Sequence, residues 1–178
     1  MSTALARTAP QFTLPGVDGS DHSLDDYRDA SVLVLVQSCN HCPYVQAWEG
    51  RLIDVARDYA DRGVRVVAIS SNDVASHPED SFEEMKKRAK EKGFNFPYLR
   101  DETQETARAY TAERTPHVHV FDAERKLRYT GKIDDNMEHP ERVKTRFLQN
   151  AVESLLAGGA PAESQTFAIG CTIKWRTP

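Results

Sequence analysis

Val32-Leu33-Val34-Leu35-Val36 is an unbroken apolar block, long enough for one strand and too short for a buried helix. Such a block reads as a strand covered on both faces, as in the middle of a parallel sheet. Val45, Trp48, Leu52, Val55 and Tyr59 then recur at helical spacing. They predict a helix that tolerates Pro43 in its first turn and ends near Arg62, with Gly63 as its cap. Val64–Ile69 predicts a second buried strand, parallel to the first under the right-handed crossover rule. Before the block, Phe12–Leu14 and His22–Leu24 flank Asp18-Gly19 as a small hairpin.

Beyond the second strand, a polar loop runs from Ser70 to His77. Asp80 and Glu83 resemble a capping box for a helix with Phe82, Met85 and Ala89 inward, stopped at Gly93. Phe96–Leu99 is a short extended piece, and Asp101 opens a helix carrying Ala107 and Tyr110. Thr115-Pro116 breaks the chain before an alternating strand, His117–Phe121, which a turn at Asp122–Arg125 pairs antiparallel with Lys126–Thr130. A last helix is predicted from about Glu141 to Ala157, with Val143, Leu148, Val152 and Leu155 inward and Gly158-Gly159 closing it. From Pro161 the chain reads as an extended tail, apolar at Phe167, Ile169, Cys171, Ile173 and Trp175, the period of a segment burying one face. The predicted architecture is an α/β sandwich: a central mixed sheet with helices on both faces, an N-terminal hairpin and an extended C-terminal tail. Residues 1–160 form one domain and 161–178 a tail packed on it.

Composition narrows the function classes. At 178 residues and 39% hydrophobic content, one domain with a proper core is expected. A net charge of -4 without a basic cluster argues against nucleic acid. No apolar run approaches the roughly 20 residues that span a bilayer. Met1 to Gln11 lacks the apolar stretch of an export signal, so the cytoplasm is the expected location. In that reducing setting the chain's 3 cysteines point to catalysis or metal rather than a disulfide framework.

Cys39-Asn40-His41-Cys42 lies where the buried strand gives way to the helix. Residues three apart in a first helical turn sit about 5–6 Å apart, within disulfide reach. Free N–H groups and the positive end of the helix dipole stabilise a thiolate there. A C-x-x-C between strand and helix in a βαβ-like pattern is a thioredoxin-type redox motif. Cys39, first in the motif and expected to be the outer thiol, is the predicted nucleophile, and Cys42 the resolving thiol. An imidazolium at His41, with Asn40 between the cysteines, favours a neighbouring thiolate and raises the reduction potential of the pair. Cys171 is either a small packed hydrophobe or a third redox thiol. His117 and His119 share one strand face and, with the cysteines, raise a zinc possibility, but a pair kept free for exchange leaves no metal expected. Arg114 is a candidate for steering an anionic substrate.

Phe12-x-Leu14 with Asp18-Gly19, the C-x-x-C, Asp101–Gln104 leading to Ala109-Tyr110, Arg114-Thr115-Pro116 and Phe121-Asp122 together resemble the thioredoxin-like superfamily, in its redoxin (AhpC/TSA and TlpA/ResA-like) branch, over roughly residues 10–157. Cys39–Val45 with Gly170–Trp175 resembles a group of small bacterial proteins labelled thiol-disulfide isomerase/thioredoxin. The resemblance implies a three-layer thioredoxin-like sandwich and makes Thr115 and Pro116 the substrate-docking site. Frequency alone favours a trans bond there, since about 5–6% of X–Pro bonds are cis, whereas the resemblance implies cis. Thioredoxin carries a buried aspartate six residues before its first cysteine, and here that position is Leu33. Proton transfer from Cys42 would then fall to His41, Glu49 or water.

The expected activity is thiol–disulfide exchange with a disulfide-bearing protein or small molecule, sustained by a thiol reductant, without a further cofactor, by a monomer or homodimer. The alternative is a peroxiredoxin-like thiol peroxidase working through Cys42 or Cys39. Peroxiredoxins place Thr or Ser three residues before their reactive cysteine, where this chain has Cys39, which favours exchange. A metal carrier using the C-x-x-C is the third class.

Overall fold

The computed structural model describes residues 7–178, so the reading of Met1 to Gln11 falls largely outside it. β1 (Thr13–Pro15) and β2 (Asp21–Ser23) form the hairpin. β3 (Val32–Ser38) leads into α1 (Pro43–Asp58), followed by β4 (Val64–Ser70), α2 (Phe82–Lys92), β5 (Tyr98–Arg100) and α3 (Glu105–Ala109). β6 (Arg114–Thr115), β7 (His117–Phe121), β8 (Leu127–Gly131), α4 (Phe147–Leu156) and β9 (Cys171–Thr172) complete the chain. The central sheet has the order β5-β4-β3-β7-β8, with β3, β4 and β5 parallel and β7 and β8 antiparallel to their neighbours.

β3 is the middle strand, and every one of its residues is buried. Its side chains alternate between two cores because a strand has period two. Val32, Val34 and Val36 pack with Trp48, Leu52 and Val55 of α1, Met85 of α2 and Leu148, Ala151 and Val152 of α4. Leu33 and Leu35 face the other way, onto Phe12, Leu24 and Tyr27 of the hairpin region and onto Tyr110 after α3. Each large side chain buried this way contributes about 1.5–3 kcal/mol. Both faces are therefore covered, which makes the fold the expected three-layer sandwich. Across the sheet from the helices, the hairpin shares the covering with α3.

Local signals account for most boundaries. Cys42 is the N-cap of α1 with Pro43 just inside, and Gly63 closes the following turn at φ 80° in the left-handed region. α2 departs from the sequence reading: its cap is Ser81, whose hydroxyl accepts the Glu84 N–H, and Asp80 is turned inward instead. α4 also starts later than expected, at Phe147 rather than near Glu141. The Asp135 carboxylate accepts the N–H groups of Lys144 and Thr145, holding those residues out of a helix. Just before them, Asp134 receives Trp48 Nε1 at 2.9 Å and the Arg51 guanidinium, tying this loop to α1. The tail does not bury one continuous face. Ile173 is buried and Cys171 half-buried, but Phe167 is 92% exposed, because the tail pairs with the body on either side of it, at Thr130 and at β6, and leaves Phe167 outside.

His117 and His119 sit inside the sheet, and burial lowers both of their pKa values, that of His117 to about 4. The unfolded chain takes up protons below about 6.5 that the folded chain refuses, so stability falls as pH drops from 6.5 towards 4. Between pH 7.5 and 5.5, His117 alone should cost about 1 kcal/mol. Urea unfolding at the two pH values measures this loss, and His117→Gln should shrink it. An identical loss in the variant would contradict the assignment.

Candidate active site

The end of β3, the first turn of α1 and β6 converge on a group of sulfurs. Cys39 and Cys42 are both buried, at 1% and 0% exposure, so Cys39 is not the outer, solvent-facing thiol expected from the motif. The reason lies in the neighbouring strand. Thr115, itself fully buried, places its hydroxyl 3.6 Å from Cys39 Sγ and its carbonyl oxygen 3.3 Å from Cys42 Sγ. The Thr115–Pro116 peptide bond is cis. Cys171 on β9 is the third sulfur, with its Sγ 2.7 Å from that of Cys42. It is the only half-exposed member of the three.

The surroundings differentiate the thiols. Cys42 has a lowered pKa, first because Cys39 donates a hydrogen bond to it, against the opposing effect of burial; the Cys171 thiol and the Val45 N–H add to the lowering. Cys39 is raised for the reciprocal reason, and by burial and the charge of Asp80. Burial, together with its hydrogen bond to Cys42, pushes Cys171 up to about 11. The favoured thiolate is thus Cys42, at the helix cap, rather than Cys39.

The loop between the cysteines is held by one carboxylate that the sequence reading took for a helix cap. Asp80 is fully buried and accepts the N–H of Asn40 at 2.8 Å, the N–H of His41 at 3.2 Å, the His41 ring Nδ1 at 2.5 Å and the Asn72 amide at 2.8 Å. Asn40 is equally fixed: its amide donates to the Glu79 carbonyl, and its side-chain oxygen accepts the Tyr98 hydroxyl. His41 also stacks on His77 with ring centroids 5.1 Å apart. The one signal available for Asp80 was a lone aspartate after a polar loop, and this also fits a cap.

Other expected residues lie elsewhere or act differently. Glu49 is two turns along α1, where Arg88 of α2 grips its carboxylate at 2.5 and 3.1 Å; among the described residues it has no hydrogen bond to either cysteine. Arg114 is exposed on β6 and reaches the Gly170 carbonyl at 3.5 Å. His117 spends its ring nitrogens on the Thr130 hydroxyl and the Glu113 N–H, away from the cysteines. Ligand-type atoms do cluster within 4.8 Å in two overlapping groups, Cys39–His41–Asp80 and His41–His77–Glu79. In the first of these, His41 and Asp80 already bond each other.

With this geometry in view, comparison with known proteins decides the family. The AhpC/TSA family matches residues 5–130. The chain belongs to the AhpC/TSA family, the redoxin branch of the thioredoxin-like superfamily. It is 26% identical over 149 residues to the thiol-disulfide oxidoreductase ResA of Geobacillus thermodenitrificans, covering 80% of each. It is 28% identical over 128 residues to a protein of Mycobacterium tuberculosis named as a peroxiredoxin, covering 72% of this chain and 76% of that one. The crystal structure of an uncharacterized conserved protein from Geobacillus kaustophilus superposes with a TM-score of 0.92 at 43% identity, over 98% of this chain and 93% of that one. The named redoxin relatives are oxidoreductases.

Asp80→Ala should destabilise the protein by about 2–4 kcal/mol, since it leaves buried donors from Asn40, His41 and Asn72 unpaired. Denaturant unfolding measures this, and a loss below about 1 kcal/mol would mean that the loop holds its shape without the carboxylate.

Proposed function

We propose that the protein is a thiol–disulfide oxidoreductase whose Cys39–Cys42 pair exchanges with protein or small-molecule disulfides and is returned to the dithiol by a thiol reductant. The observation that carries this reading is the meeting of both sulfurs with Thr115 at the start of α1, Cys39 at its hydroxyl and Cys42 at its backbone carbonyl. A thiol at a helix cap, a second thiol beside it and a strand end ahead of a cis proline are what disulfide exchange uses. Two groups react by turns, and a peptide edge receives the substrate.

The Cys42 thiolate attacks one sulfur of the substrate disulfide, and the other sulfur leaves as a thiolate that takes up a proton. Cys39, on losing its proton, attacks the Cys42 sulfur of the mixed disulfide, and the second substrate thiol departs. One substrate disulfide becomes two thiols, and two protein thiols become the Cys39–Cys42 disulfide, so the electrons balance. The sulfurs suffice as the redox group, without a bound cofactor. Asn40 and His41 shape the loop through Asp80, and Arg114 stands beside the dock. The chemistry suits a reducing compartment such as the cytoplasm and works in a monomer or a homodimer.

The second reading, a thiol peroxidase, is favoured by one observation: the lowered thiol is Cys42, the position a peroxiredoxin would use. In that chemistry Cys42 attacks peroxide, and Cys39 condenses with the resulting sulfenic acid. Insulin reduction and hydrogen peroxide consumption, measured on the same reduced protein, separate the two. Exchange predicts turnover of insulin, a loss of at least about a hundredfold in Cys42→Ser, and a trapped mixed disulfide in the double variant Cys39→Ser/Cys171→Ser. Fast peroxide turnover that survives Cys39→Ser, with insulin untouched, would replace the exchange reading by the peroxidase.

A further inference from the structure

The tail crosses the docking strand and is fastened on both sides of it. Upstream, Thr130 N–H donates to the Ser164 carbonyl, and Thr166 N–H donates back to the Thr130 carbonyl. Downstream, Lys174 N–H donates to the Asn72 side chain, its carbonyl accepts from Asp73 N–H and Gln104 Nε2, and Ile173 is buried beside Ala107 and Ala112. Between these anchors β9 pairs antiparallel with β6, with Thr172 opposite Arg114 and Cys171 opposite Thr115. The approach is close enough to require glycine: a Cβ on Gly170 would stand 2.0 Å from the Thr115 carbonyl oxygen and 3.2 Å from Pro116 N.

An extended segment lying along the residue before the cis proline, with its cysteine facing an active-site sulfur, has the form of a disulfide-bearing peptide added to a sheet edge. The Cys42 and Cys171 sulfurs are 2.7 Å apart, against about 2.05 Å in a disulfide. Inert packing explains a half-buried cysteine. It does not explain the glycine that admits the tail or the register that sets Cys171 against Cys42.

Resting on the exchange reading of the preceding subsection, we propose that residues 170–174 occupy the substrate-docking strand from within the chain, and that Cys171 is a third redox thiol forming a reversible disulfide with Cys42. The chemistry follows from exchange. Once Cys42 carries a mixed disulfide with a substrate thiol, the deprotonated Cys171 attacks the Cys42 sulfur. The Cys42–Cys171 bond forms, the bond to the substrate breaks, and the substrate sulfur leaves with the electron pair and takes up a proton. The Cys39 thiolate can then attack Cys42, forming Cys39–Cys42 and releasing Cys171. In the Cys42–Cys171 form the tail is locked on the dock and excludes extended peptides. In the forms where Cys171 is free, the tail can lift.

The test oxidises the full reduced chain with oxidised glutathione, alkylates it, digests it with trypsin without reduction and maps the products by mass spectrometry. Cys39 and Cys42 share the tryptic segment 29–51, and Cys171 lies in 147–174, so the two disulfides are distinguishable. Wild type should yield the cross-linked pair of segments, and Cys39→Ser should yield only that link. Cys171→Ser, which keeps the glycine, should confine the disulfide to 29–51. Gly170→Ala should lower the cross-link at least about tenfold while raising iodoacetamide labelling of Cys42, because the closed form is depopulated. A complete Cys39–Cys42 disulfide, with Cys39→Ser ending as a glutathione adduct on Cys42, would overturn the role of Cys171 and leave exchange standing. A full cross-link in Gly170→Ala would overturn the docking of the tail. If neither disulfide forms, both this proposal and the exchange reading fall.

Discussion

The site depends on holding the Cys42 sulfur, in a place that water does not reach, against Cys39, Thr115 and Cys171. A bare thiolate in the interior would be driven back to its neutral form by desolvation. Here the charge is offset by donors that the fold supplies: the Cys39 thiol, the Cys171 thiol and the Val45 N–H at the start of α1. Each comes from a different construction. Cys39 ends the central strand, Val45 belongs to the helix that strand feeds, and Cys171 arrives on the tail. Losing the position of any one would leave the sulfur with fewer donors and the same burial.

Asp80 keeps the geometry from drifting. Its Oδ1 takes up both N–H groups of the residues between the cysteines, and its Oδ2 the His41 ring and the Asn72 amide, so Cys39 and Cys42 cannot rotate apart without freeing buried N–H groups. On the opposite side, β6 presses the Thr115 carbonyl and hydroxyl against the two sulfurs. The site is thus clamped between a loop carboxylate and a strand end. This explains why both cysteines are buried even though the motif sits at a helix mouth, where an exposed first cysteine was expected.

The parts legible in the sequence are those set by local pattern. The five-residue apolar block of β3, the helical spacing from Val45 to Val55 and the glycine stops at Gly63 and Gly93 each reflect a periodicity or a backbone requirement contained in a few neighbours. What could not be read depends on distant partners. Asp80 looks like a cap until Asn40 and His41 are brought to it. Glu49 looks available for proton transfer until Arg88 of the next helix claims it. Phe167 shares a face with Ile173 on paper, yet the tail pairs with the body only on either side of it, at Thr130 and at β6. The helix start alone points to Cys39 as the favoured thiolate, yet the donors that lower a thiol's pKa, the Cys171 thiol and the Val45 N–H among them, gather on Cys42.

The central claim is that the buried Cys42 sulfur carries the charge. Following thiolate absorbance at 240 nm against pH in the fully reduced protein tests it most directly. The account predicts one thiolate already present well below the ordinary cysteine value of about 8.5, retained in Cys39→Ser and Cys171→Ser and absent in Cys42→Ser. A first thiolate that appears only near that ordinary value, or one that vanishes with Cys39 while Cys42 remains, would contradict it.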